Sequence, residues 1–149
     1  MKKTITLMIL WMVAATAVWA QKGLAIDKVF EGHIIPSEKM VETRVRGKDI
    51  AKYQLSFFRS IRFDATAAQA EEIAALMEKD ESLKCVKSGG QKGTKDTQTI
   101  MVQLKPTSKG NRFVCMKVKR MKKDLFSVVI IYMEGSLDSL EKLGQILRN

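Results

Sequence analysis

Cys85, Cys115 and His33 are the side chains of this 149-residue chain best suited to covalent, redox or metal chemistry. Neither cysteine belongs to a Cys-x-x-Cys pair, so no dithiol redox motif is present. One imidazole cannot build a His-rich zinc or iron site within a single chain. A Cys–His nucleophile needs an accessible thiolate. Both cysteines instead fall midway along alternating apolar segments that read as core strands, and His33, with Glu31 nearby, reads as a surface or structural residue. The carboxylates add little. Glu71 and Glu72 open a helix, where its dipole favours negative charge, and Glu78, Asp80 and Glu81 read as solvated groups at its end. No acid pair stands in the apolar setting that makes a general acid. Gly89, Gly90 and Gly93 lack the spacing of a phosphate loop, and no Gly-x-Ser-x-Gly occurs. The sequence therefore assigns no catalytic residue, metal ligand or cofactor. A hydrolase is the weakest of the functional readings, because nucleophile, base and orienting group are missing.

Charge says more. Lys and Arg number 26 against 16 Asp and Glu, a formal net charge of +10. A surplus of this size favours acidic partners such as glycans, lipopolysaccharide phosphates or anionic surfaces.

Residues 1–20 have the form of a secretory signal peptide. Lys2 and Lys3 precede an apolar run, Val18-Trp19-Ala20 fits a peptidase site, and cleavage is expected before Gln21. Ile5 to Ala20 is 16 residues, short of the ~20 that span a membrane. Gln21 is not the Cys that would carry a lipid, so no lipid anchor is expected. No later apolar run is long enough to span; Leu125 to Met133 is nine residues and reads as a strand. The expected product, residues 21–149, is a single domain with a surplus of eight cations, soluble and periplasmic or secreted.

Positioning falls to a short set of elements. Met40–Arg46 alternates around Val41, Thr43 and Val45 and predicts a strand ended by Gly47. Tyr53–Phe63 places Tyr53, Leu55, Phe57, Ile61 and Phe63 on one parity. Thr66-Ala-Ala-Gln69 fits a capping box, and Ala70, Ile73, Ala74 and Met77 give the stripe of an amphipathic helix ending near Asp80. Four strands follow, at Ser82–Ser88, Thr97–Lys105, Arg112–Arg120 and Leu125–Glu134, with turn-rich connections. Ser136 is expected to cap a last helix through Leu147, with Asp138 in its first turn. The order β-β-α-β-β-β-β-α predicts an α+β fold: an antiparallel sheet of about five to six strands with two main helices on one face.

A trial meander with symmetric turns pairs Cys85 with Ile100, Val102 with Cys115, and Cys115 with Ile130. One face then carries Leu83, Cys85, Ile100, Val102, Leu104, Phe113, Cys115, Val128, Ile130 and Tyr132 and should hold the helices. The other carries Met101, Val114, Met116, Val118, Val129, Ile131 and Met133, more apolar than a solvated face should be. Either the N-terminal strands or residues 22–36 cover it, or it is a surface for a homodimer or an envelope protein partner. The same meander gathers Lys87, Lys92, Lys95, Lys119, Arg120, Lys122 and Lys123 at one pole, as polyanion contacts or as lysines that discourage edge aggregation. No aromatic residue interleaves them, which disfavours nucleic acid. Export makes a Cys85–Cys115 disulfide an option. In a simple meander a third strand would separate the two by about 10 Å, beyond the ~7 Å limit on Cα separation. The alternatives are a bridge with another strand order, or two buried thiols.

Val128–Leu143 resembles the end of a family of small secreted bacterial proteins, the DUF4252-like domains. Gly135, Leu137, Asp138 and Leu143 fall on that family's closing strand–Gly–x–Leu–Asp–helix pattern, and the strand at Tyr53–Phe63 followed by the 66–80 helix sits where the family would put it. The resemblance implies an α+β domain of the cell envelope or exterior, from this or a related uncharacterised family. It implies no activity. The resulting expectation is a non-catalytic exported domain working through protein contacts, with the binding of acidic glycans or lipopolysaccharide as the alternative.

Overall fold

The computed structural model describes residues 24–80, 82–89 and 97–148. The expected signal segment, Lys92 and Lys95 lie outside these residues. A six-stranded antiparallel sheet forms the centre. In chain order the elements are α1 (Asp27–Phe30), a single 3-10 turn (Ser37–Lys39), β1 (Val41–Arg46), α2 (Lys48–Ala51), β2 (Leu55–Ala65), α3 (Ala67–Lys79), β3 (Ser82–Gly89), β4 (Thr97–Thr107), β5 (Gly110–Lys122), β6 (Leu125–Gly135) and α4 (Leu140–Arg148). Across the sheet the strands run β1-β2-β6-β5-β4-β3. The last four form the expected meander, and β2 returns against β6 over most of its length. The α+β class holds.

Local chemistry explains the boundaries. Thr66 Oγ1 accepts from the Gln69 amide at 3.2 Å, and Gln69 Oε1 accepts from the Thr66 amide at 3.0 Å, so the capping box starts α3 as predicted. At the other end of β6, Gly135 is required by close approach: a Cβ there would collide with the Gln54–Leu55 backbone. Ser136 does not cap the last helix. The Leu137 amide donates to Gln54 O at 3.2 Å, and Leu137 O accepts from Asn111 Nδ2 at 2.9 Å. These bonds hold the connection against the tips of β2 and β5, and the helix starts later, with Ser139 Oγ accepting from the Lys142 amide at 3.2 Å. Asp138 therefore lies outside the helix and pairs with Lys142 at 2.9 Å. β4 runs past its expected end at Lys105, and Pro106 lies inside it, at the irregularity between Leu104 and Thr107 where its missing N–H costs no ladder bond.

The register corrects the trial meander. Met101 pairs with Cys115, and Cys115 with Ile131. Relative to both neighbours β5 is shifted by one residue, which exchanges its two faces. Register shifts at both ends of β5, beside Leu104/Thr107 and Arg120/Lys122, break the symmetry assumed for the turns. Cys85 pairs with Val102 rather than Ile100.

The sheet therefore has a core on each side, and the two main helices do not share a face. Ile73, Leu76 and Met77 of α3 pack on Ile61, Phe63, Ile100, Val102, Val114, Met116, Val128, Ile130 and Tyr132. Ile26, Val29, Phe30 and Ile35 of the N-terminal segment complete that core. On the other side Leu137, Leu140 and Leu143 cover Leu55, Phe113, Cys115, Ile131 and Met133. Residues 24–35 thus cover the α3 face, and α4, not the N-terminal segment, covers the opposite one.

Candidate functional site

The proposed partner patch is not one surface. Val114, Met116 and Val118 belong to the α3 side, whereas Met101, Val129, Ile131 and Met133 belong to the α4 side. Val114, Met116, Ile131 and Met133 are buried, and Met101, Val118 and Val129 are half-buried. The cause is the β5 shift together with the placement of α4.

Cys115 is poorly placed for thiol chemistry. Cys115 is a free thiol with no exposed surface. Burial pushes it up to about 11 against the weaker pull of Lys117, so it stays protonated. The disulfide with Cys85 is not formed, and β4 stands between the strands that carry the two residues. His33 follows α1 on the surface, with Nε2 3.1 Å from Glu31 Oε2. Among the described residues no cluster of three His, Cys, Asp or Glu side chains could hold a metal ion.

The cations fare differently. β5 ends and β6 begins at one pole of the sheet, and the end of β5 with the turn that follows carries Lys119, Arg120, Lys122 and Lys123, all exposed. The nearest acid in sequence, Asp124, is committed elsewhere: its Oδ1 accepts from the Ala67 amide at 3.0 Å and ties the start of α3 to the turn. Arg120 lies over the Phe126 ring, its guanidinium carbon 5.6 Å from the centroid. The β3–β4 connection leaves the sheet at the same pole. Lys87 sits on β3 opposite Ile100, with its side chain outside the described residues, as are Lys92 and Lys95.

Beside Arg120 a cleft of about 350 Å³ opens between α3 and the sheet. Ala67, Ala70, Glu71 and Ala74 form its helix wall, and Gln98, Ile100, Met116, Val118, Arg120 and Phe126 its floor and mouth. Glu71, read as a helix-dipole residue, faces this opening. Nothing in the sequence pattern marked the cleft directly. The hint available was the run of alanines at helical spacing on the stripe where Ile73 and Met77 are large.

The opposite end of α3 is polar and closed. Asp80 is buried and accepts from the amides of Ala25 and Ile26, the second at 3.2 Å. Burial raises its pKa against those two bonds and the attraction of Arg112. Tyr132, fully buried, donates to Glu134 Oε1 at 2.6 Å. Burial and that bond hold the phenol far above its usual range. Arg112 stands opposite Glu134 in the register and donates to Lys105 O at 2.9 Å. On the adjoining flank, Glu42 Oε1 accepts from Arg44 Nε at 2.7 Å and Arg59 Nε at 2.5 Å. Burial opposes its ionisation, but these bonds prevail and hold the carboxyl below its usual value. Asp80 had read as a solvated residue. Glu134 left a usable signal, because it shares strand parity with Val128, Ile130 and Tyr132.

No described helix is long and apolar enough to cross a membrane. No curated protein matches the chain. The profile of a family of unknown function (DUF6108) matches residues 13–147, which include every described strand. The family bears a different name from the DUF4252-like one that Val128–Leu143 resembles, and the expectation of a family without assigned function holds: the chain belongs to the family of unknown function DUF6108.

Proposed function

We propose that this chain is exported, loses residues 1–20, and works without catalysis as a binding domain for acidic polymers such as acidic glycans or lipopolysaccharide. One observation carries the reading: four exposed cations, Lys119, Arg120, Lys122 and Lys123, crowd one turn while the adjacent Asp124 is spent on the Ala67 amide. Clustered like charge in water is a field that a flexible polyanion relieves. The signal-like residues 1–20 support delivery to a compartment where such polymers occur. The protonated, buried Cys115 supports the absence of thiol catalysis.

Heparin serves as the test polymer. Its affinity is expected to fall steeply as salt rises, because exposed charges are screened within ~10 Å at 0.1 M. Replacing Lys119, Arg120, Lys122 and Lys123 by Gln together is expected to weaken it about tenfold or more at low salt. Unchanged binding in that variant overturns the reading. The residues that the sequence offered for protein contacts are divided between the two cores, which supports the polyanion reading over that one.

A further inference from the structure

We infer that the cleft under the first turns of α3 binds a single-chain anionic lipid of the fatty-acid type, its chain lying between helix and sheet and its carboxylate on Arg120. The inference rests on the reading of this pole as anion-binding and gives it a second, apolar component.

Packing is the first ground. Protein interiors hold few voids larger than a water molecule, yet about 350 Å³ stands open here. That volume lies within the roughly 300–1,000 Å³ of small-molecule sites. Ile73, Leu76 and Met77 hold the C-terminal half of α3 against the sheet. On the flank that lines the cleft the same helix presents Ala67, Ala70 and Ala74 instead. Leucine at any of these would close the gap and keep helix propensity. The floor is apolar as well, with Ile100 and Met116 buried and Phe126 half-buried.

Charge complementarity is the second ground, and it selects the occupant. Arg120 stands at the mouth, steadied on the Phe126 ring. A planar guanidinium takes a carboxylate through two parallel bonds. Gln98 supplies a further donor at the rim. Glu71, exposed at the opening, disfavours a second negative charge there, and the buried Ala70, Ile100 and Met116 favour an apolar tail below the one head. A carboxylate joined to an alkyl chain satisfies both walls. A bare polyanion satisfies only the rim.

The test titrates the protein calorimetrically with hexanoate, octanoate and decanoate, and with neutral 1-decanol. Saturable binding is expected to strengthen about fourfold for each added methylene. Ala70→Leu, which fills the cleft, is expected to weaken decanoate at least about tenfold while leaving the melting temperature no lower and heparin affinity unchanged. Ala74→Leu serves the same purpose should Ala70→Leu not fold. Arg120→Gln is expected to weaken decanoate and spare 1-decanol. A protein that binds heparin but shows no saturable decanoate binding overturns this inference and leaves the polyanion reading standing. So does decanoate binding indifferent to both alanine variants. Loss of the heparin response with decanoate binding retained overturns the polyanion reading instead.

Discussion

The two ends of α3 lie on the same sheet face and treat polar groups in opposite ways. At the C-terminal end Asp80, Tyr132 and Glu134 are drawn inward and bonded to the protein, with the half-buried Arg112 beside them. At the N-terminal end the charges point out and the helix wall is alanine. Burying a polar group costs free energy unless the protein itself supplies the partner. The closed end meets that condition with the backbone of residues 25 and 26, so its polar groups serve the fold. The open end leaves donors facing water and apolar surface uncovered, the arrangement from which a ligand gains.

The sharpest way to break this contrast is Asp80→Ala. Two amides of the α1 entry lose their acceptor, each at about 1–3 kcal/mol, offset in part by removing a carboxyl that burial already disfavours. A net loss of about 2–3 kcal/mol is expected, read by urea unfolding, with heparin affinity at the far pole unchanged. A loss below about 0.5 kcal/mol would mean that water replaces the carboxylate and that the end is not closed. A fall in heparin affinity would mean that the two ends are not independent.

A smaller effect is expected from Tyr132→Phe. The ring and its edge contact with Phe57, 6.0 Å between centroids, stay in place. What goes is the donor to Glu134, a carboxylate with 4% of its surface exposed, together with the oxygen that Arg112 bonds. Hydrogen bonds to charged groups contribute about 1.5–3 kcal/mol, so a loss of about 1.5 kcal/mol is expected in the same unfolding assay. At the open end the sign reverses: Ala70→Leu adds apolar contact where there is room, and a gain in melting temperature sharpens the comparison. A loss of the usual about 1–3 kcal/mol for overpacking would show that the cleft is not open space.

How far the sequence reveals all this depends on the element. Helix α3 was legible because Thr66 and Gln69 cap it locally and Ile73 and Met77 set its face. The strands were legible from period-two alternation. The faces of β5 were not, since Phe113 and Cys115 on one parity and Val114, Met116 and Val118 on the other are equally apolar. Hydrophobicity cannot choose a register between two apolar faces, and the irregularities flanking β5 decided it. The split of the partner patch follows from that strand together with α4, which covers the face that carries Met101, Val129, Ile131 and Met133. The basic turn was legible because four of its cations lie within five consecutive residues. The role of Asp80 was not, because its partners lie 54 and 55 residues away.

The subtlest difference between the ends is their response to pH, and Asp27 reports it. Half-buried beside Asp80, it is raised from the ordinary 3.8 to about 6, first by burial, then by Glu31 and Asp80, against a bond from the Leu24 amide and the attraction of Arg59. The folded chain therefore keeps this proton up to about pH 6, whereas the unfolded chain releases it near 3.8. Between those values the native state binds more protons, so this group makes stability fall as pH rises through that window. Asp27→Asn removes the effect. A rise of this size at a half-exposed carboxyl, discounted for solvent screening, amounts to about 1 kcal/mol. The variant is thus expected to be more stable than the parent at pH 8, by roughly 3–5 °C in melting temperature, and no more stable at about pH 4 or below. Because Asn keeps an oxygen for the Leu24 amide, packing is preserved and charge alone changes. An equal shift at both pH values would assign the gain to packing.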